Sequence, residues 1–266
     1  MGKTMMVFRH AALCGVLVLV PISAAGEWYV GGYGGYSWPQ SLKDATMNNF
    51  GLQSAISRYN FNQNDINQGS ALTQNFQSSD ISLKSSAIFG GKAGYFFKDE
   101  GLSWLGVEVE AFTTKPTIKQ QTVDTTQGIT FVLGPPPAGA CDPNPTLKTC
   151  SAQETLRSAL ALSESSLRLI AVGFNVVARY PGKILQPYVG IGVGAFYFSG
   201  SGQINGRQVV PGLNAQAGLK VLVTEEWGLF VEGKYNLANI NNFDQTFGVS
   251  GQYSAFNAVA GLAYHF

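Results

Sequence analysis

The chain has 266 residues and a formal net charge of +1, and only 12% of its residues are charged. That charged fraction is about half the share found in an average soluble domain, whereas glycine and aromatic residues are abundant. A nearly neutral chain of this composition gives no reason to expect nucleic acid or an acidic partner.

The first 25 residues have the organisation of a secretory signal peptide. Basic residues precede an apolar run over 11–20 (AALCGVLVLV), and small residues follow at a cleavage site. The run is shorter than the roughly 20 apolar residues that a membrane-spanning helix needs. We predict export and cleavage after Ala25 or Gly26, which leaves residues 26–266 as one domain.

The exported part alternates between apolar residues and small or polar residues in eight segments, each long enough to cross a bilayer. No later apolar run approaches the length of a membrane helix, so any membrane signal must reside in this alternation. The segments lie near Trp28–Trp38, Leu83–Phe97, Ser103–Thr114, Leu167–Tyr180, Gln186–Ser199, Gly212–Thr224, Gly228–Asn239 and Ala255–Phe266. The pattern predicts an all-β fold, an eight-stranded antiparallel transmembrane β-barrel.

The connections between these segments alternate in length. Three are tight turns rich in Gly, Pro and acidic residues, at 98–101, 181–183 and 225–227. The others are longer and polar, at about 39–81, 115–166, 200–211 and 240–254. Short periplasmic turns and long extracellular loops are typical of outer-membrane barrels, and an even strand count places both termini on the periplasmic side.

The loop over 115–166 carries signals of local structure. Ser151 and Glu154 have capping-box spacing ahead of Leu160, which predicts a short helix. Thr117–Val123 and Ile129–Leu133 are predicted to form a hairpin that extends the wall above the membrane. If that hairpin instead crosses the bilayer, the barrel has ten strands.

Two cysteines remain after export, and both lie in this loop. Cys141 and Cys150 flank a segment that contains proline and asparagine, and an exported chain reaches an oxidising compartment. We predict a local disulfide between them. A metal-binding pair is the alternative, although no histidine and few acidic residues lie nearby.

Charged residues occupy one face of several predicted strands. Val107 and Val109 share a face that must contact lipid, so Glu108 and Glu110 point into the lumen. The same reasoning predicts the interior charges Lys84, Lys92, Glu108, Glu110, Arg179, Lys220, Glu232 and Lys234. Side chains fill an eight-stranded barrel, and buried charges must be paired. We therefore predict an ion-paired, largely plugged lumen, with a narrow conduction pathway as the alternative.

The sequence contains little that could support catalysis. Acyl-transfer chemistry generally needs a histidine to handle the proton of the nucleophile. The only two are His10, which is lost with the signal, and His265, next to the last residue. No zinc, calcium or phosphate motif occurs. We predict that the protein is not an enzyme and holds no cofactor or metal.

Both ends of the exported part resemble the small outer-membrane β-barrel superfamily, which includes the transmembrane domain of outer membrane protein A and the opacity-type porin-family proteins. Glu27–Tyr36 (EWYVGGYGGY) is similar to its first strand. Gly261, Tyr264 and Phe266 are similar to the carboxy-terminal signal read by the barrel assembly machinery, although Val259 stands where the family often has a polar residue.

The resemblance implies eight antiparallel strands in the outer membrane of a Gram-negative cell, in contact with membrane lipids and lipopolysaccharide. It implies roles in envelope integrity, surface interaction or limited permeability. Because loops on a rigid scaffold usually carry binding, we predict a non-enzymatic barrel whose extracellular loops meet an extracellular ligand or host surface. The alternative is a small porin that passes ions or small solutes.

Overall fold

The computed structural model describes residues 26–67, 70–98, 101–133 and 150–266. The predicted signal peptide lies outside these residues. Cys141 also lies outside them, and with it the predicted disulfide to Cys150.

The described chain is mostly β-structure with two helices. The strands are β1 (Glu27–Pro39), β2 (Lys43–Met47), β3 (Ala71–Ser78), β4 (Leu83–Lys84), β5 (Ser86–Phe97), β6 (Leu102–Thr114), β7 (Thr117–Ile118), β8 (Gln121–Leu133), β9 (Cys150–Leu162), β10 (Ser165–Arg179), β11 (Leu185–Ser201), β12 (Arg207–Leu222), β13 (Trp227–Ile240) and β14 (Val249–His265). The helices are α1 (Asn48–Tyr59) and α2 (Gln63–Asn67). Among the described residues, no helix is long and apolar enough to cross a membrane.

Eight strands close into an antiparallel barrel in the order β1, β5, β6, β10, β11, β12, β13 and β14. The last strand returns to the first, with Tyr29 opposite His265 and Pro39 opposite Ala255. Directly opposite residues can be followed from strand to strand once around the barrel. A path that starts at Leu219 of β12 returns to the same strand at Val209, so the sheet closes with a shift of ten residues along the strand. A stagger of this kind tilts the strands and allows the sheet to close. The predicted eight-stranded barrel is confirmed.

Alternate side chains of each wall strand face outward and form an apolar belt. On β11 the outward residues include Val189, Ile191 and Val193, and Ile191 is 71% exposed. Exposed aromatic residues lie at both ends of the belt. Those at the periplasmic end are Trp28, Trp104, Tyr180, Trp227 and Phe266, and those at the extracellular end are Tyr36, Trp38 and Phe256.

Four other aromatic residues near the strand ends are buried and do not belong to these rings. Tyr29, Phe112, Phe198 and Phe243 are buried. Tyr29 lies between the exposed Trp28 and Val30, and side chains of successive residues in a strand face opposite sides. The position of a residue along a strand therefore sets the height of its side chain in the barrel wall. Whether that side chain faces the lumen or the outside depends on which of the two alternating sets of residues it belongs to.

The sheet continues above the barrel on the extracellular side. The start of β14 pairs with β2, which pairs with β3, then β8 and β9. We call β2, β3, β8 and β9 the outer sheet. It lies outside the barrel order, so the ten-strand alternative is wrong, and the segment 39–81 is a folded part of this sheet with α1 and α2.

Two local predictions for the loop over 115–166 are wrong. The segment expected to form a helix after Ser151 is the strand β9, which pairs along its whole length with β8. The segments expected to form a hairpin with each other are β7 and one continuous strand, β8, whose hairpin partner is β9. Helix propensity is a weak preference that pairing with an adjacent strand overrides.

Helix α1 ties the outer sheet to the top of the barrel. Its Phe50 ring contacts Phe76 of β3 and Phe247 of the β13–β14 loop, at 5.6 and 5.5 Å between ring centroids. Gln127 of β8 donates a hydrogen bond of 2.6 Å to the carbonyl of Gly51. Asn60, in the left-handed conformation, ends the helix. One apolar cluster consequently runs from the barrel interior into this cap.

Candidate functional site

The barrel interior begins at the periplasmic end with an ionic cluster. Arg179 donates two hydrogen bonds of 2.5 Å to the two carboxylate oxygens of Glu27. His265 bridges this pair to Lys220, with Nδ1 2.7 Å from Glu27 Oε1 and Nε2 3.2 Å from Lys220 Nζ. The Phe96 ring lies 3.7 Å from the Arg179 guanidinium carbon. Paired charges thus occupy the mouth of the lumen.

A second group of charges occupies the middle of the lumen. Lys92 Nζ lies 2.6 Å from Glu232 and 3.4 Å from Glu108, so one ammonium group is shared by two carboxylates. The Tyr29 hydroxyl donates to Glu108 at 2.5 Å, and the Tyr188 hydroxyl donates to Glu232 at 2.7 Å. Each of these carboxylates is therefore paired with a cation and a phenol, which offsets part of the cost of its desolvation. Glu232 Oε1 accepts no hydrogen bond from a described residue.

A third group lies closer to the extracellular end. Lys234 is fully buried and pairs with Glu110, and its Nζ lies 3.6 Å from Glu232. The Tyr33 hydroxyl donates a 2.5 Å hydrogen bond to Glu110. The rings of Tyr33 and Phe112 face the Lys234 ammonium at 5.2 and 5.5 Å from their centroids. Both charged groups are enclosed on all sides by partners.

A ladder of amide side chains on four strands connects the second and third groups. Asn175 donates to Glu108 at 3.0 Å, and Asn214 donates to Asn175 at 2.9 Å. Asn236 donates to Asn214 at 3.1 Å, and Asn257 donates to Asn236 at 2.7 Å. The second and third groups thus form one hydrogen-bonded network, in which Asn257 Oδ1 has no partner among the described residues. Such a network restricts the positions of its members.

The structure places seven of the eight charges predicted for the interior inside the barrel: Lys92, Glu108, Glu110, Arg179, Lys220, Glu232 and Lys234. With Glu27 added, the lumen holds four acidic and four basic side chains. The alternation of β1 could have identified Glu27 as a lumen residue, because it belongs to the same inward-facing set of alternate residues as Tyr29 and Tyr33.

Lys84 lies outside this group, and its assignment to the lumen needs correction. Its side chain is 48% exposed and pairs with Glu164 at 2.5 Å above the barrel. The strand pattern breaks at Ser85, between β4 and β5. Because a shift of one residue moves every side chain to the opposite face, Leu83 is buried there and Lys84 points outward.

Apolar residues fill the extracellular half of the interior. The rings of Phe112 and Phe196 pack edge to face at 6.2 Å, and those of Phe198 and Tyr253 at 5.2 Å. Below them, an enclosed cavity beside Lys92 has a volume of about 10 Å³. That volume is close to the minimum for one water molecule. An ion would have to pass both the paired charges and this apolar plug.

The outer sheet presents a polar surface to the outside. Three rows of directly opposite residues cross β3, β8 and β9, with Gly128 at the centre. A Cβ atom added at Gly128 would meet no atom within 4 Å, so the centre of the surface is open. We call these residues the exposed polar face: Thr73, Asn75, Gln77, Thr126, Gly128, Thr130, Gln153, Thr155 and Arg157.

The three carboxy-terminal residues of the predicted assembly signal lie at the barrel seam. Gly261 is opposite Tyr33 of β1, and Tyr264 packs on Phe266 with ring centroids 5.1 Å apart. The backbone N–H of Phe266 donates to the carbonyl of Trp28 at 2.9 Å. The Phe266 side chain remains more than half exposed, in the periplasmic aromatic ring.

No protein-family model matches the chain, and no curated protein matches it. Solved structures do match. Neisserial surface protein A is 13% identical, with 90% of this chain aligned to 97% of that chain and a TM-score of 0.46. Ail, the attachment invasion locus protein of Yersinia pestis, solved in complex with the heparin analogue sucrose octasulfate, is 10% identical, with 91% and 100% of the chains aligned and a TM-score of 0.41.

Two further solved structures also match this chain. The outer membrane protein OprG from Pseudomonas aeruginosa is 16% identical, with 91% of this chain aligned to 96% of that chain and a TM-score of 0.42. The outer membrane protease OmpT from Escherichia coli is 11% identical, with 91% and 96% aligned and a TM-score of 0.30. At these identities and TM-scores, the matches support no inference about function. A proposal about function must therefore rest on the geometry of this chain.

Proposed function

We propose that this protein, a small outer-membrane β-barrel of a Gram-negative cell, is a non-enzymatic surface protein. In this proposal its lumen stays closed, and the exposed polar face of its outer sheet binds an extracellular ligand. The closed antiparallel wall, its apolar belt and its two aromatic rings are the features of a barrel in the outer membrane. The binding and closure roles are the proposed part.

The exposed polar face is the observation that carries the binding role. It has hydrogen-bonding groups at eight of its nine positions and includes a single charge, Arg157. The opposite face of the outer sheet packs on α1 and the barrel top through residues such as Phe76 and Val123. A rigid platform with one side anchored and the other solvated is suited to recognition, because little ordering is needed on binding.

A substitution at the centre of this face tests the binding role. Gly128→Trp covers the middle of the face and fits the sheet, because a Cβ atom meets nothing there. Gln53→Trp, on the exposed side of α1, is the matched control. The purified barrel in nanodiscs is screened on arrays of glycans and extracellular-matrix proteins. We expect a specific signal that Gly128→Trp removes and Gln53→Trp retains; equal signals from both variants would count against this role.

Paired charges and the apolar plug support a closed lumen. We expect the protein to show no steady conductance in planar bilayers. A steady conductance that changes on Glu108→Gln or Lys234→Gln would favour the alternative of a narrow porin. In that case the cavity of about 10 Å³ would have to widen for an ion to pass.

The non-enzymatic role rests on the absence of a catalytic arrangement among the described residues. His265 contacts Glu27 and Lys220, and no nucleophilic serine, threonine or cysteine is among its partners. Unchanged lipid A in cells that lack the gene would support this part of the proposal, and modified lipid A lost with the gene would contradict it.

We also propose that the chain is exported and then inserted by the barrel assembly machinery. Cleavage after Ala25 or Gly26 would leave Glu27 near the new amino terminus, where it pairs with Arg179. Amino-terminal sequencing of the protein from outer membranes checks the cleavage site. A chain that retains residues 1–25 would refute a cleaved signal.

A further inference from the structure

Three basic residues line up on the outward surface of one side of the barrel. Arg168 of β10 is opposite Ser199 of β11, which is opposite Arg207 of β12. Lys115 follows β6 and faces Arg168, since Thr114 pairs with Leu169 on one side of it and Thr117 with Ser166 on the other. We call Lys115, Arg168 and Arg207 the basic row. All three side chains are exposed.

The basic row has no acidic partner. In the described parts of the chain, no carboxylate lies within 4.0 Å of these three charged groups and their side chains form no hydrogen bond. Arg58 and Lys84, on the extracellular side, are paired with Glu154 and Glu164, whereas the exposed Lys43, Lys119 and Arg157 form no ion pair with a described residue. The basic row differs from those three in bringing its cations together on one surface. Arg168 lies opposite Lys115 and two strands from Arg207, so these like charges repel one another. An anion at this place would relieve that repulsion.

Hydroxyl groups lie beside these cations. Ser199 sits between the two arginines, and Ser166 and Ser201 form a pair of hydroxyls, 2.6 Å apart, one outward row further from the membrane. Neighbouring strands are about 4.8 Å apart, which places the backbones of Arg168 and Arg207 about 10 Å from each other. Their side chains can reach one anionic group together or hold two that are joined.

An apolar lane continues from the basic row into the membrane belt. The next outward residues toward the periplasm are Ile170, Tyr197 and Val209, which are again directly opposite one another. Val172, Ala195 and Pro211 form the row after that. The surface therefore has cations and hydroxyls at its extracellular edge and apolar side chains directly below. A molecule that matches it has an anionic head and a hydrocarbon body.

We propose that this surface binds an outer-leaflet lipid with a phosphorylated headgroup, whose phosphates contact the basic row and whose acyl chains lie on the apolar lane. Arginine matches phosphate with paired N–H donors, and lysine adds a point charge. The position at the extracellular boundary of the belt is where headgroups lie. This proposal rests on the barrel spanning the outer membrane and is independent of the binding role of the outer sheet.

Native mass spectrometry of the full mature protein in detergent micelles tests the proposal. The probes are bisphosphorylated lipid A, the same lipid with its phosphates removed, and inorganic phosphate. We expect one lipid A per barrel, and much weaker binding of the dephosphorylated lipid. Each cation near a membrane surface contributes about a fivefold effect, so replacing the basic row with glutamines should weaken lipid A binding by about a hundredfold.

Two variants control for charge and for folding. Lys43→Gln/Lys119→Gln/Lys183→Gln removes the same charge from exposed residues outside the basic row and the exposed polar face, and we expect less than a twofold change. Arg168→Lys/Arg207→Lys keeps the charge and should keep most of the binding. Heat-modifiable migration on gels confirms that each variant is folded.

Three results would overturn the proposal. The first is equal binding of the phosphorylated and dephosphorylated lipids, because the phosphates would then contribute nothing. The second is an equal loss in the charge-matched control, which would make the effect one of net charge. The third is complete displacement of lipid A by millimolar inorganic phosphate, which would identify a site for a free anion.

Discussion

Loss of the Lys234 ammonium tests the paired lumen most directly. Lys234→Met keeps a flexible side chain of similar length but leaves Glu110 without its cation. Glu110 would retain the Tyr33 hydroxyl at 2.5 Å and the weaker Asn214 amide at 3.4 Å. The lumen would then hold four acidic and three basic side chains.

The expected cost follows from the burial of the pair. Lys234 and Glu110 have side chains that are 0% and 2% exposed, so no solvent screens the remaining carboxylate. Removing one partner of such a pair costs about 3–5 kcal/mol, because an uncompensated charge remains buried. The double variant Glu110→Gln/Lys234→Met removes both charges and keeps a hydrogen-bond acceptor for Tyr33. We expect it to recover most of that loss.

Urea unfolding of the barrel refolded into lipid vesicles measures these changes. Tryptophan fluorescence and heat-modifiable migration should give coincident transitions if unfolding is two-state. Lys84→Met is the matched control, because it breaks a half-exposed pair with Glu164. Such pairs contribute less than about 1 kcal/mol.

Two outcomes would refute the reasoning. One is a loss for Lys234→Met that is no larger than that for Lys84→Met. The other is a double variant as destabilised as the sum of its two single variants, since coupling between contacting partners should make the double change smaller than the sum.

Further predictions concern the plug, the terminus and the cysteines. Phe198→Ala should lower the free energy of unfolding by about 3–5 kcal/mol, because its ring is fully buried; a loss below about 1 kcal/mol in urea titration would contradict the plug. Phe266→Ala should reduce the amount of protein in outer-membrane fractions more than Phe256→Ala does, while the stability of the refolded barrel changes little; normal levels would argue against an assembly signal. Mass spectrometry of an unreduced digest should find Cys141 linked to Cys150, and free thiols would exclude that disulfide.

The barrel strands could be predicted because each carries its own evidence. Lipid outside and a filled lumen inside force strict alternation, and β11 shows it from Val189 to Val193 without any knowledge of its neighbours. Lumen charges such as Glu108 and Glu110 follow from the same parity. Lys84 was wrongly assigned to the lumen because the strand is interrupted at Ser85, and residues before the interruption face the opposite side from the one that the alternation of β5 predicts. Nothing in the residue types there indicates an interruption.

The outer sheet could not be predicted in this way. The sequence after Ser151 contains good helix formers and a capping box, yet β9 is a strand because β8 offers it thirteen paired positions. Such pairings join residues that are far apart in sequence, as in the contact between β3 and β8. Local preference is a small term beside the burial and backbone pairing that tertiary structure supplies.

The sequence by itself determined the fold class, the eight barrel strands and most of the charges in the lumen, because one apolar and one polar face impose a period of two on each strand. Only the tertiary structure decided which charges pair, that apolar residues fill the extracellular half of the lumen and that a polar face is displayed. The same holds for the alignment of Arg168, Ser199 and Arg207, which lie on three strands. Register between strands fixes such neighbours, and register is a property of the closed sheet as a whole.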